Sequence, residues 1–228
     1  MKRNRIPSKA EQARTQIQTM KEGTIFFPEV FENIGQTALH IILSRLVQQK
    51  RIIRLGPGIC LYPRFSNVIG TYATPSLEDI ATAIAMKERS RIIPTGSYAL
   101  YKLGFTMQVP TSAVFLTDGS PRKINLEDGR IIVFKRTTAK NLSFHNPTLQ
   151  LLVSSIKEIG NGNITPEHRE IIQGILSTLH EEELKQDLIL APYWVRELIL
   201  HERNTIHEFQ SNDHNLSPTL PKSQQFDL

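Results

Sequence analysis

The sequence has a single cysteine, Cys60, among 228 residues. That excludes a disulfide framework within one chain and any zinc site built from several thiolates, and it fits a reducing compartment. No apolar run approaches the roughly 20 residues needed to span a bilayer. The first residues, Met1-Lys2-Arg3-Asn4-Arg5-Ile6-Pro7, contain nothing like the apolar stretch of a secretory signal. A cytoplasmic protein without a membrane partner is expected. Gly at 12 and Pro at 13 are too few for a collagen-like or low-complexity chain, and 39% apolar residues suffice for a packed core. Acidic residues are scarce in one place. Residues 1–64 hold 4 Glu and no Asp against 11 Lys and Arg, so the formal charge of +5 divides into +7 there and −2 over the rest. A surplus confined to one end points to a polyanion-binding unit joined to a near-neutral one.

The basic end has a readable order. Ser8-Lys9-Ala10-Glu11 has the spacing of a capping box, and Ala10, Ala13, Ile17 and Met20 recur at helical spacing, with Gly23 placed to end the helix. Thr24-Ile25-Phe26-Phe27 suits a strand, Pro28 opens a brief helix through Asn33, and Gly35 makes a turn. From Gln36 to about Gln49 a third helix carries Leu39, Ile42, Leu43 and Leu46 on one side, and Gln36, Thr37, His40, Ile41, Ser44, Arg45 and Gln48 on the other. Ile52 to Leu55 and Ile59 to Tyr62 read as two strands across the turn Gly56-Pro57-Gly58. This is the order of a winged helix-turn-helix, which lays its third helix in the major groove of double-stranded DNA.

Residue chemistry favours that use. The polar types on the third helix all hydrogen-bond to base edges, and a planar guanidinium at Arg45 suits a bidentate pair with guanine. The candidate DNA-binding residues are Gln36, Thr37, His40, Ser44 and Arg45 for the groove, with Arg3, Arg5, Lys9, Lys50, Arg51 and Arg54 for phosphates. Gly56-Pro57-Gly58 is not followed by GK[ST], so a wing turn is read there and not a phosphate loop.

Residues 64–76 read as a connection. A helix then starts at Ser76-Leu77-Glu78-Asp79, a strand covers Arg91 to Pro94, and Thr95-Gly96-Ser97 opens a short helix closed by Gly104. Strands are expected over 112–117, 122–126 and 130–136, with turns at Asp118 to Pro121 and Glu127 to Gly129. From Pro147 the period is helical, and the polar tail after about Gln210 is read as disordered or as an interaction tail. The expected fold class is α+β: an N-terminal winged helix-turn-helix over 1–64, a mixed α+β domain over 76–210 ending in helices, and a tail over 211–228.

No catalytic, metal or cofactor site is expected. Gly96-Ser97 resembles the helix opening of polymerase-β-type nucleotidyltransferases, which place two carboxylates on a strand about ten residues on for two-metal chemistry. Between Thr95 and Thr117 there is no Asp or Glu, and Asp118 stands alone at a turn. His201-Glu202 and His207 miss the HExxH spacing, and Glu181-Glu182-Glu183 reads as a solvated helix start.

Two segments carry a family resemblance. Leu43-Ser44-Arg45-Leu46 with the wing Arg54 to Pro63 is similar to the start of AbiEi-type antitoxins of bacterial abortive-infection systems. Thr95-Gly96-Ser97-Tyr98-Ala99-Leu100, Leu103-Gly104-Phe105 and Gln108-Val109-Pro110-Thr111 resemble the opening of their carboxyl-terminal domain. Together these cover residues from about 8 to 145, and the helical end after Pro147 departs from the usual pattern. The resemblance implies a non-enzymatic transcriptional autoregulator, bound to inverted repeats in its own promoter, that neutralises a cognate nucleotidyltransferase toxin. The alternatives are a neutralising protein-binding module without sequence-specific DNA binding, or a degenerate nucleotidyltransferase-like enzyme.

Overall fold

Ser8 and Glu11 close the expected capping box: the Glu11 N–H donates to the Ser8 hydroxyl at 3.3 Å and the Ser8 N–H to the Glu11 carboxylate at 2.7 Å. Helix α1 (Lys9–Gln18) follows. It ends earlier than its apolar period suggests, at a C-cap on Thr19, and Gly23 (φ 88°) instead leads the chain into strand β1 (Ile25–Phe26), its N–H donating to Tyr62 O at 2.7 Å. The computed structural model describes residues 7–68 and 70–214, residues 207–214 by backbone alone. Arg3 and Arg5 lie outside the described residues.

After a 3-10 turn at Pro28–Val30 come helix α2 (Gln36–Gln48) and strands β2 (Ile53–Gly56) and β3 (Ile59–Leu61). Pro57 followed by Gly58 at φ 67° supplies the residue pair a type II turn requires. The connection over 64–76 contains a small ladder, β4 (Phe65–Ser66) and β5 (Thr71–Tyr72). Helix α3 (Leu77–Glu88) starts in a second capping box, Ser76 with Asp79. Strand β6 (Ile92–Thr95) runs straight into helix α4 (Gly96–Lys102), which Gly104 (φ 78°) closes.

Strands β7 (Ser112–Thr117), β8 (Arg122–Asn125) and β9 (Ile131–Arg136) join β6 in the order β6-β7-β9-β8. The two expected turns do not make a simple meander. Only Glu127 to Gly129 closes a hairpin; β9 inserts between β7 and β8 and runs parallel to β7. The turn after β7 is tied to the start of β6 by Arg91, whose N–H and Nε donate to Asp118 at 2.8 and 2.9 Å, and is braced by the Thr117 hydroxyl, which accepts from Gly119 N at 2.9 Å. Helices α5 (Pro147–Ile159), α6 (Pro166–Ser177), α7 (Glu181–Leu188) and α8 (Tyr193–His214) complete a mixed α+β fold whose last described element is a helix. The segment read as a tail from residue 211 begins inside α8; residues 215–228 lie outside the described residues. Among the described residues no helix is long and apolar enough to cross a membrane.

Strands β1, β3 and β2 form an antiparallel sheet in that order. Side chains alternate along a strand, and here both faces are buried. Phe26 and Cys60 turn toward Ala13 and Ile17 of α1 and Leu39, Leu43 and Leu46 of α2. Phe27, Leu55, Ile59 and Leu61 turn the other way, into one core with Ile80 and Ile84 of α3, Phe115 of β7 and Ile132 of β9. Glu127 N donates to Leu55 O at 2.9 Å across the same junction. Charge therefore divides near residue 64, while burial runs across it. A separate core fills the space among α5 to α8.

Candidate nucleic-acid interface

Helix α2 buries Leu39, Ile42, Leu43 and Leu46 because these recur on one face of a 3.6-residue period. The opposite stripe is thereby turned to solvent. Gln36, Thr37, His40, Ile41, Arg45 and Gln48 are exposed and Ser44 is half-buried. The helix holds no acid, and its N-cap Gly35 offers no side-chain hydrogen bond to the first N–H groups. Among the described residues Arg45 makes no ion pair or side-chain hydrogen bond.

The structure brings Arg54 to the same side. With Gln36, Leu39 and His40 it lines a groove of 530 Å³ between α2, the 3-10 turn and the β2–β3 hairpin. Glu29 and Glu32 also line this groove, an acidic contribution that inspection of α2 alone does not reveal. Glu29 is offset by Lys87, 2.7 Å away, whose hydrogen bond holds its carboxyl below the usual range. Cys60 lies at the base of the groove, and burial pushes its thiol up while Arg54 acts in the opposite direction.

The other candidates separate from this face. Lys9 is exposed in the first turn of α1. Lys50 and Arg51 are exposed beyond the carboxyl end of α2 and share a second groove with Arg14 of α1, a residue that helical periodicity alone did not single out.

Chemistry elsewhere has structural partners. Ser97 is exposed in the first turn of α4, and the nearest carboxylate to Gly96 is that of Glu158 on α5, whose Oε1 is 3.8 Å from where a Cβ would stand. Asp118 is engaged by Arg91, whose hydrogen bonds lower its pKa. Glu202, 2% exposed, accepts from Arg169 and, at 2.7 Å, from Gln173. The side chain of His207 lies outside the described residues. Glu181 pairs with Lys185 at 3.0 Å and Glu183 accepts from Asn146 at 2.6 Å, so part of the acidic cluster is tied into the fold. Among the described residues no group of three or more His, Cys, Asp or Glu is placed to hold a metal ion.

A family model, described as a family of unknown function (DUF6088), matches residues 12–184, from within α1 into α7. Searches among curated proteins and among solved structures found no match.

Proposed function

Since the chain belongs to DUF6088, a family of unknown function, we propose from its physical chemistry that it is a DNA-binding transcriptional regulator of antitoxin type, with residues 1–64 acting as a winged helix-turn-helix. What supports this reading is the order helix, strand, 3-10 turn, helix, hairpin, together with the +7 charge of that end. The observation that carries it is the outward stripe of α2, free of acid and centred on an unpaired Arg45. In this reading Gln36, Thr37, His40, Ser44 and Arg45 meet base edges and Lys9 and Arg54 meet phosphates, as Arg3 and Arg5 would, while Lys50 and Arg51 stand away from this face in the second groove.

Gel-shift titration against the DNA upstream of its own gene tests the proposal. Arg45→Ala is expected to cost about 1–3 kcal/mol and to relax base preference at one position of each half-site. The logarithm of affinity should fall by about 0.9 per phosphate neutralised for each decade of salt. Binding that is indifferent both to Arg45→Ala and to salt refutes the reading.

The antitoxin half rests on a second observation. In the loop between α4 and β7, Met107 is 91% and Val109 67% exposed, two apolar side chains turned largely to solvent. They stand in the segment that resembles the carboxyl-terminal domain of AbiEi-type antitoxins. A nucleotidyltransferase encoded beside this gene should co-purify with the chain in the absence of DNA. Its failure to do so, with operator binding intact, leaves a regulator without a toxin. Co-purification without operator binding favours the protein-binding alternative.

A further inference from the structure

The amino-terminal unit has a second groove, of 340 Å³, at the carboxyl end of α2 and away from its outward stripe. Its floor is apolar, with Ile17, Leu46 and Ile52 buried beneath it. Arg14, Lys50 and Arg51 line it, and the one acid among its lining residues is Glu22. None of the three cations makes an ion pair among the described residues, so the groove carries a net positive charge.

Two exposed aromatics stand at the same groove. Phe65 is 52% and Tyr72 43% exposed. They face each other across the β4–β5 ladder, ring centroids 5.6 Å apart at 86°. Each strand of that ladder has only two residues, so the ladder gains little stability from pairing and leaves large apolar rings in water. A flat ligand stacking on them would supply the missing burial.

The backbone at Lys50 points the same way. Lys50 N donates to Val47 O at 2.9 Å and Arg51 N to Leu46 O at 3.0 Å, the two bonds of a Schellman motif, with Lys50 at φ 56° in the position that glycine normally fills. A β-carbon is disfavoured there. The chain thus carries an ammonium at the groove in a place where glycine is the more stable choice.

Cations beside exposed aromatic faces match the chemistry of unpaired nucleotides, whose phosphates and base faces are both accessible; in a duplex the base faces are covered by their neighbours. A volume near the lower end of the roughly 300–1,000 Å³ range of small-ligand sites admits a nucleotide or two and no helix. We propose that this groove binds single-stranded DNA, with bases on Phe65 and Tyr72 and phosphates on Arg14, Lys50 and Arg51. The choice of DNA over RNA rests on the reading of α2 as a DNA-reading helix; the groove itself is separate from that face.

Fluorescence anisotropy of fluorescein-labelled dT12 with the full chain tests this. Expected are a Phe65→Ser/Tyr72→Ser loss of about tenfold or more and a salt slope of about −2, from about −0.7 for each of three phosphates. Lys50→Gly should weaken dT12 binding severalfold while raising the melting temperature, which separates lost charge from lost folding. Arg45→Ala should leave dT12 binding unchanged, so that failure of the α2 reading and failure of this one are distinguished. The proposal is overturned if dT12 binding ignores both the aromatic pair and Lys50, if a 12-base-pair duplex of arbitrary sequence competes equally, or if rU12 is preferred.

Discussion

Leu61→Ala is expected to cost about 2–5 kcal/mol, lowering the melting temperature by roughly 5–15 °C in a chain of this size. Leu61 is 1% exposed and sits on the face of β3 that packs with Ile80, Ile84, Phe115 and Ile132, so truncation leaves a cavity in a core built from both sides of residue 64. The loss should therefore reach the whole molecule and not the hairpin alone. Thermal unfolding followed by far-ultraviolet circular dichroism and by the fluorescence of the single tryptophan, Trp194 in α8, checks this. Both signals should shift together, because α5 joins the helical core to β6, with Ser154 donating to Pro94 O at 3.2 Å. A transition confined to the circular-dichroism signal would mean that the hairpin melts by itself and that the shared core contributes little.

Asp187→Ala is the second large effect, about 2–4 kcal/mol, reckoned from two partly buried backbone donors left without an acceptor at about 1–2 kcal/mol each, the lower part of the range for such a loss. Asp187 is fully buried in α7 and accepts from the backbone N–H of His145 at 2.8 Å and of Asn146 at 2.7 Å, with the His145 ring nitrogen Nδ1 at 2.9 Å. It holds the chain as it enters α5. Burial opposes its ionisation, but the Asn146 and His145 hydrogen bonds outweigh burial and hold the carboxyl below the usual aspartate range. The sign follows from that direction. A lowered folded pKa gives stability that is complete above the unfolded value, about 3.9, and is lost as pH falls through the folded value. Denaturation midpoints measured from pH 7 down to pH 2 should show the wild type losing more stability than Asp187→Ala, with the difference arising below about pH 4. Equal losses would show that the buried carboxylate is not the acid-sensitive group.

Much of the local structure was legible in the residues. Ser8 with Glu11 and Ser76 with Asp79 start their helices by hydrogen bonds that span three residues, and Gly104 ends α4 because only glycine takes positive φ without strain. The stripe of α2 followed from the spacing of Leu39, Ile42, Leu43 and Leu46 alone, since a helix that buries one side must expose the other. The α1 terminus was misplaced for a related reason: Met20 extends the apolar period, but Thr19 already ends the helix, and Met20 packs from beyond it. Periodicity records which face is buried, and it does not record where the hydrogen bonds stop.

The groove at the carboxyl end of α2 was less legible. Lys50 and Arg51 stand out as basic residues after a helix, but Arg14 lies on another helix and Phe65 and Tyr72 fall in a stretch without a period. Nothing in their spacing says that they meet.

Charge segregation is read directly from the amino-acid order, and the helix starts and the exposed stripe of α2 depend on interactions within a few residues, so that order suffices for them. Three features needed the assembled chain: β9 lying between β7 and β8, the β1-β3-β2 sheet covered on both faces, and Asp187 reaching His145 across 42 positions. Alternation along a strand says that two faces differ, but not what covers each. A buried carboxylate at an ordinary helical position carries no mark of its donors. Such pairings are chosen by closure of the whole core, where burial gained by many residues outweighs local preference and settles which distant segments meet.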